Sequence, residues 1–230
     1  MIISHQYQFI FIKTHKTAGS SMEMALAPLC GKDDIITPME SNADSDLPRN
    51  FHNGRWNGKL YARSRLFRKF FDRHSEWIAP WYYEHMPAAR VRQLVGESTW
   101  DSYHKFCFER NPWDKVVSYY NWKKIGQGRS LPSFEKWLMK KPHRLPLDAR
   151  LYFDGTTCMM NEVLDYDGFI GHFVDLCDRL GIPFDGNMPR EKTNITNHKV
   201  DYKSYYNDAT KAKVAELFER EIALKNYTFE

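Results

Sequence analysis

The alternation of apolar and polar positions predicts a strand, a loop and a helix near the start of the chain. Residues 6–12 (QYQFIFI) are mostly β-branched and aromatic, which is typical of a short buried strand. After a loop, apolar residues from Met22 to Leu29 recur at the spacing of one helix face, and Gly31 follows where such a helix would end. The pattern therefore predicts a first strand–loop–helix unit.

A second unit of the same kind begins at Tyr103, in the segment YHKFCFERNPWDKVVSYYNW. Its apolar residues predict a strand up to Arg110, followed by Asn111 as the helix N-cap and Pro112 as the first helical residue. The apolar stripe of that helix consists of Trp113, Val116, Val117 and Tyr120.

Two more helices are predicted, over residues 169–180 and over residues 208–225. Strands that alternate with helices favour a parallel sheet covered by helices. We therefore expect one α/β domain over residues 1–230, with a P-loop-like central parallel sheet and helices on both of its faces.

Composition narrows the class of protein. The 230 residues are 42% hydrophobic, enough for one core, and the formal net charge of +4 is too modest to indicate nucleic acid by itself. No apolar run reaches the roughly 18 residues of a membrane helix, and we expect no secretory leader. The four cysteines are scattered without a C-x-x-C pair, so we expect buried thiols and a cytoplasmic, reducing location.

The loop of the first unit carries residues suited to an anion. Unpaired backbone N–H groups and the positive end of a helix dipole meet where a strand leads into a helix. Lys16 adds a cation, Gly19 allows close backbone approach, and Thr17, Ser20 and Ser21 add hydroxyl groups. A nucleotide P-loop would place glycines before the lysine, which this loop does not. The same run is also compatible with a strand–helix turn that binds nothing.

The second unit offers a second anion site. Arg110 ends a strand at the mouth of a helix, where its guanidinium can grip a phosphate, and Ser118 lies away from the apolar stripe of that helix. Taken singly, Arg110 is equally compatible with a surface salt bridge to Asp114 or Glu109, and Ser118 with a solvated position.

Together, KTHKTAGSS and FCFERNPWDKVVSYY resemble the two cofactor motifs of the PAPS-dependent sulfotransferases, most closely the Golgi carbohydrate type and its shorter bacterial relatives. PAPS is 3′-phosphoadenosine 5′-phosphosulfate. The resemblance implies that the first motif holds the 5′-phosphosulfate and that Arg110 and Ser118 hold the 3′-phosphate. The residues that it implies for the first motif are Lys16, Thr17, Ala18, Gly19, Ser20 and Ser21. Many family members have Pro in place of His15 and His in place of Lys13.

The resemblance also indicates a closing loop near the C-terminus, with Lys192 and Asn194 as cofactor contacts, although an ordinary basic loop would look the same. In this reading, Lys16 is placed to neutralise the bridging oxygen of the phosphosulfate as it leaves. For the base that activates the acceptor hydroxyl we choose His85, near its ordinary pKa of about 6.5 and at the start of a helix, with Glu84 second. A histidine in this position is also often a helix cap.

A basic, aromatic segment spans residues 49–73 and contains eight Arg and Lys residues against one acid, Asp72. It is interpreted as a lip over a sugar or anionic acceptor, or as a solvated face.

The sequence thus predicts a PAPS-dependent O-sulfotransferase with a hydroxylated acceptor, in the first place a saccharide, with no metal required and no nucleic-acid partner. One alternative is a nucleotide-dependent phosphotransferase, which would need acids to hold magnesium. Another is a nucleic-acid-binding module that uses residues 49–73.

Overall fold

A five-stranded mixed sheet lies at the centre of the fold. The structure is a computed structural model that describes residues 1–37, 82–189 and 201–230. The strands of the central sheet are β1 (Ile2–Ser4), β2 (Phe9–Phe11), β3 (Ile35–Ile36), β4 (His104–Glu109) and β7 (Glu162–Asp165). Their order across the sheet is β3-β1-β2-β4-β7. Strands β5 (Phe153–Asp154) and β6 (Thr157–Cys158) form a separate antiparallel pair.

The parallel part of the sheet consists of β2, β4 and β7. Phe11 of β2 pairs with Phe106 of β4, and Cys107 of β4 pairs with Val163 of β7. The predicted parallel core is confirmed. Strand β1, which is antiparallel to both β2 and β3, was not predicted.

The first predicted strand, residues 6–12, was drawn too long. Residues 5–8 form the turn between β1 and β2, and Gln8 has a left-handed φ of 53°. Polar side chains and a left-handed backbone suit a tight turn and do not suit a strand. The strand therefore starts at Phe9.

Nine helices surround the sheet in the part of the chain that the structure describes. They are α1 (Gly19–Leu26), α2 (Ala88–Val95), α3 (Glu97–Ser102), α4 (Pro112–Asn121), α5 (Phe134–Lys140), α6 (Ala149–Tyr152), α7 (Phe169–Arg179), α8 (Asp208–Leu217) and α9 (Glu219–Lys225). Short 3₁₀ turns cover Ala27–Leu29, Pro142–Arg144 and Tyr202–Tyr205, and a π-helical turn covers Trp122–Gly126.

Helices pack on both faces of the sheet, as predicted. Side chains alternate along β2, so Ile10 joins one core cluster together with Val91 of α2. Phe9 and Phe11 join the opposite cluster, which includes Met22 of α1. This α/β arrangement places two helix-covered cores around one sheet.

A third cluster joins α4 to α5, α8 and α9. The helix predicted over residues 208–225 is interrupted in this cluster at Phe218, which is fully buried and leaves helical geometry with φ −110° and ψ 27°. Both predictions for the start of α4 are confirmed. Asn111 Oδ1 accepts a hydrogen bond from the Trp113 N–H, with 3.1 Å between nitrogen and oxygen, and Pro112 is the first helical residue.

The four cysteines are free thiols, but only Cys107 and Cys177 are buried, whereas Cys30 and Cys158 are partly exposed. The basic segment 49–73 and the predicted contacts Lys192 and Asn194 lie outside the described residues. Within the described ranges, no helix is both long and apolar enough to cross a membrane.

Candidate functional site

The carboxyl ends of the three parallel strands meet at one edge of the sheet, which is where ligands bind in open α/β sheets. The loop 12–18 follows β2, Arg110 follows β4, and Tyr166 follows β7. The two predicted motifs are therefore brought together at this edge, although they are far apart in the sequence.

The turn into α1 leaves three backbone amides without a partner inside the helix. Lys16 and Ala18 have left-handed φ values of 62° and 57°. In such a turn, successive backbone N–H groups can point toward one concave site that suits an anion. No side chain caps α1, and its first i→i−4 hydrogen bond runs from Met22 to Ala18 O at 3.1 Å. The amides of Gly19, Ser20 and Ser21 precede that bond and point out of the helix N-terminus.

Two of the three predicted hydroxyl groups, those of Thr17 and Ser20, have partners within the protein. Thr17 is buried, and its Oγ1 lies 2.9 Å from Oγ1 of Thr14, which itself donates to the carbonyl of Phe108. Ser20 Oγ accepts from Lys13 Nζ at 3.1 Å. The Thr17 hydroxyl is therefore engaged within the loop, and the expected hydroxyl contact with a ligand does not follow from this geometry.

Gly19 has a packing role that the sequence did not reveal. A Cβ at this position would lie 2.7 Å from Cγ and 3.0 Å from Cε of Lys13. The absence of a side chain at Gly19 makes room for the aliphatic stem of Lys13, which passes beneath the loop.

A first buried ion cluster, the Lys13 cluster, consists of Lys13, Glu23 and Glu84. Lys13 Nζ donates to Glu23 Oε2 at 2.7 Å and also to Glu84. Burial alone would lower the pKa of Lys13, but Glu23 and Glu84 raise it above its ordinary value. Burial would likewise raise the pKa of Glu84, but Lys13 and then His85 hold it at about 2. Glu84, the second choice for the base, is therefore an ionised partner of Lys13.

A second buried ion cluster, the Lys115 cluster, consists of Lys115, Glu109, Asp148 and Tyr152. The Lys115 ammonium is fully buried, contacts Glu109 and donates to Asp148 Oδ2 at 2.9 Å. Tyr152 donates its hydroxyl to Glu109 at 2.9 Å. Burial raises the pKa of Glu109 to about 7 against the pull of Lys115, while Lys115 outweighs burial and lowers the pKa of Asp148.

The Lys115 cluster is hydrogen-bonded directly to the loop. Asp148 accepts the backbone N–H of His15 at 2.8 Å and lies 2.5 Å from its ring Nδ1. Glu109 accepts the backbone N–H of Arg110 at 2.7 Å. One buried ammonium is thus connected, through its two carboxylates, to both predicted motifs.

The Arg110 side chain joins the two motifs. Its NH1 donates to the carbonyl of Lys16 at 3.1 Å and to Ser118 Oγ at 3.3 Å, and its Nε pairs with Asp114 at 2.7 Å. The guanidinium lies 4.4 Å from the ring centroid of Tyr166. The salt bridge to Asp114 exists, and it orients the guanidinium toward Ser118 and the loop.

The Lys16 side chain lies beside an aromatic pair. Its Nζ is 5.5 Å from the ring centroid of Trp122, which stacks on Tyr119 with centroids 5.6 Å apart. The cation is thereby kept on the loop side of the π-helical turn, next to the open amides of α1.

His85 lies against the same loop from the other side. It has a left-handed φ of 58°, its Nδ1 is 2.9 Å from the carbonyl of Lys13, and its ring stacks on His15 with centroids 3.8 Å apart. The expectation of an ordinary pKa was wrong, because burial and then the charge of His15 lower the pKa of His85 to about 3. The imidazole is neutral at pH 7.

The sequence missed Lys13, His15, Asp148 and Lys115. Lys115 had a weak signal, since a cation directly before the apolar pair Val116–Val117 must find a buried partner or reach solvent. Asp148 had no signal, because it comes from a segment without a recognisable motif. Within the described ranges, no group of three or more His, Cys, Asp or Glu side chains could hold a metal ion.

Comparisons with known proteins gave short or distant matches. No protein-family model matches the chain. An uncharacterized protein of Archaeoglobus fulgidus is 60% identical over 35 residues, which is 15% of this chain and 29% of that protein. Among solved structures, a sulfotransferase from Alicyclobacillus acidocaldarius is 19% identical, with a TM-score of 0.49 and 96% of each chain covered. None of these matches assigns the chain to a family.

We predict that Lys115→Met destabilises the protein by about 3–5 kcal/mol, because it leaves Glu109 and Asp148 buried without their cation. Urea unfolding followed by circular dichroism measures the free energy of unfolding. Lys213→Met is the matched control, since Lys213 pairs with the exposed Glu216 and its loss should change stability by no more than about 0.5 kcal/mol. Equal stability losses in the two variants would contradict the role given to the Lys115 cluster.

Proposed function

We propose that the chain is a PAPS-dependent O-sulfotransferase that transfers a sulfuryl group to a hydroxyl of a saccharide acceptor. One observation carries the proposal: two anion-binding features at one sheet edge are joined by the contact between Arg110 NH1 and the Lys16 carbonyl. A donor with two separate phosphate positions on one nucleoside requires two such features next to each other. The resemblance of both sequence motifs to sulfotransferases supports the same function.

The residues present fit the donor. Three open amides at the start of α1, with Lys16 beside them, suit a phosphosulfate. Arg110 and Ser118, already within 3.3 Å of each other, suit a 3′-phosphate. When bound, PAPS supplies an activated sulfuryl group attached to a phosphate leaving group.

The protein would contribute charge stabilisation and position, as in phosphoryl transfer. Lys16 and the α1 amides would place positive charge beside the phosphate leaving group, on which negative charge increases during transfer. Arg110, held at Nε by Asp114 and on its face by Tyr166, fixes the nucleotide without losing much side-chain entropy.

His85 is the base in this proposal. Its Nδ1 faces the Lys13 carbonyl, which can only accept, so Nδ1 carries the hydrogen and Nε2 has a free lone pair. As the acceptor O–H bond breaks, Nε2 takes the proton and the electron pair stays on the oxygen that attacks sulfur. Glu84, whose Oε1 is 3.9 Å from Nε2, stabilises the imidazolium that forms.

The saccharide acceptor is inferred from the sequence resemblance and from the aromatic pair beside Lys16. Sugars present C–H faces that pack on aromatic rings such as those of Trp122 and Tyr119. The basic segment 49–73 remains a candidate lip for this acceptor.

The proposal is tested by incubating the protein with isotopically labelled PAPS and a panel of saccharides, and by detecting labelled product by mass spectrometry. Transfer to at least one saccharide is expected, and His85→Ala should abolish it while the nucleotide still binds. Label that moves only to water or to non-sugar hydroxyl compounds would overturn the choice of acceptor, and no transfer at all would overturn the enzymatic function.

We predict that adenosine 3′,5′-bisphosphate binds about ten- to a hundredfold more tightly than AMP, because AMP leaves the Arg110 and Ser118 site empty and loses one charge-assisted contact. Isothermal calorimetry measures both affinities. Arg110→Ala should remove the difference between the two nucleotides, and Arg144→Ala, an exposed arginine in a 3₁₀ turn, should keep it. Equal affinities in the unmodified protein would count against the two-site arrangement.

We predict that Lys16→Met lowers turnover about a hundred- to a thousandfold and changes the Michaelis constant for PAPS much less, because its charge is needed mainly in the transition state. Steady-state kinetics with an accepted saccharide separate the two effects. Lys140→Met, at an exposed position of α5, is the control for losing a lysine. A higher Michaelis constant at unchanged turnover would make Lys16 a binding residue only.

A further inference from the structure

Two histidine rings from separate parts of the site lie face to face. The centroids of His15 and His85 are 3.8 Å apart and their planes differ by 8°. His15 belongs to the loop after β2, whereas His85 comes just before α2. Their stack is the point where the Lys115 cluster, through Asp148, meets the Lys13 cluster, through Glu84.

The hydrogen-bond partners fix the proton on one nitrogen of each ring. Asp148 is ionised and can only accept, so His15 Nδ1, 2.5 Å from its Oδ1, carries a hydrogen. His85 Nδ1 is bound in the same way to the Lys13 carbonyl. Any further proton must therefore be taken up at an Nε2, and two imidazolium rings at this distance would repel each other.

The charges around the two rings differ in favour of His15. His15 Nδ1 is bonded directly to the ionised Asp148 carboxylate, whose Oδ1 is 2.5 Å away. The carboxylate nearest to His85 is Glu84, which is already bonded to Lys13 and lies 3.9 Å from His85 Nε2.

We propose that His15 is a positioning residue that competes with His85 for the proton: the stacked pair takes its first proton on His15, and while His15 holds it, His85 cannot accept the acceptor's proton. The inference rests on the proposed function in that it takes His85 as the base. The low pKa of His85, caused by burial and then by His15, agrees with this order.

A consequence for the reaction follows. In the active form both rings are neutral, and His85 Nε2 takes the hydroxyl proton as the O–H bond breaks. In acid, the first proton binds to His15 and blocks this step by repulsion across the stack. The loss of transfer rate in acid would then report the ionisation of His15, whereas the sequence analysis expected an ordinary pKa for the base His85.

The proton order is tested by NMR titration of the full chain labelled with ¹³C-histidine, which needs no enzymatic activity. The His15 ring signals should move first as the pH falls, and those of His85 only in stronger acid. In His15→Phe, which keeps an aromatic ring and removes the charge, the midpoint of His85 should rise by about one pH unit or more. His143→Phe, in an exposed turn, should leave it unchanged.

His15→Gln is the second variant, since its side-chain amide can still donate to Asp148 and it carries no charge. It should raise the midpoint of His85 as His15→Phe does, which separates the effect of charge from any disturbance of the loop. A first proton on His85 in the unmodified protein, or an unchanged His85 midpoint in both variants, overturns the proposal. A confirmed proton order without sulfuryl transfer would leave the order standing and reject the proposed function.

Discussion

Two buried lysine ammonium groups hold the loop between β2 and α1, and the candidate site depends on them. Lys13 lies beneath the loop and is neutralised by Glu23 and Glu84. Lys115 lies beside it and reaches the loop through Asp148, which binds both the backbone and the ring of His15. Transferring an ammonium group from water to the protein interior costs several kcal/mol of free energy. Paired carboxylates that are themselves hydrogen-bonded offset that cost. The resulting framework fixes the geometry of the loop.

That framework explains how non-glycine residues remain in a left-handed conformation. Lys16 and Ala18 each carry about 1–3 kcal/mol of backbone strain, which persists only where neighbouring contacts determine the conformation. The Asp148–His15 bonds hold the loop on one side, and the Arg110–Lys16 bond holds it on the other. The strained loop presents open amides without glycines ahead of its lysine, which is how it differs from a nucleotide P-loop.

Local patterns predicted the strand–loop–helix units because short-range chemistry determines them: Asn111 caps a helix, Pro112 starts it, and apolar residues mark its buried face. Strand β1 was not predicted, because a strand of three residues is too short to show an alternation of apolar and polar positions. The ion clusters escaped it for another reason. Each joins residues that are distant in sequence, such as Lys13 with Glu84 and Lys115 with Asp148, and only the tertiary fold decides which charges meet. The low pKa of His85 has the same origin, since it depends on burial and on a stacked partner.

In the proposed function, the amides at the start of α1, together with Arg110, bind an anionic nucleotide at the carboxyl edge of the sheet. The most direct measurement is a ¹⁵N NMR titration of the full chain with adenosine 3′,5′-bisphosphate, following backbone amides and the Arg110 side chain. We expect the largest shifts at residues 17–21 and at Arg110, and we expect them to saturate together at one nucleotide per chain. Shifts that are absent from this loop, or that centre on residues 49–73, would contradict it.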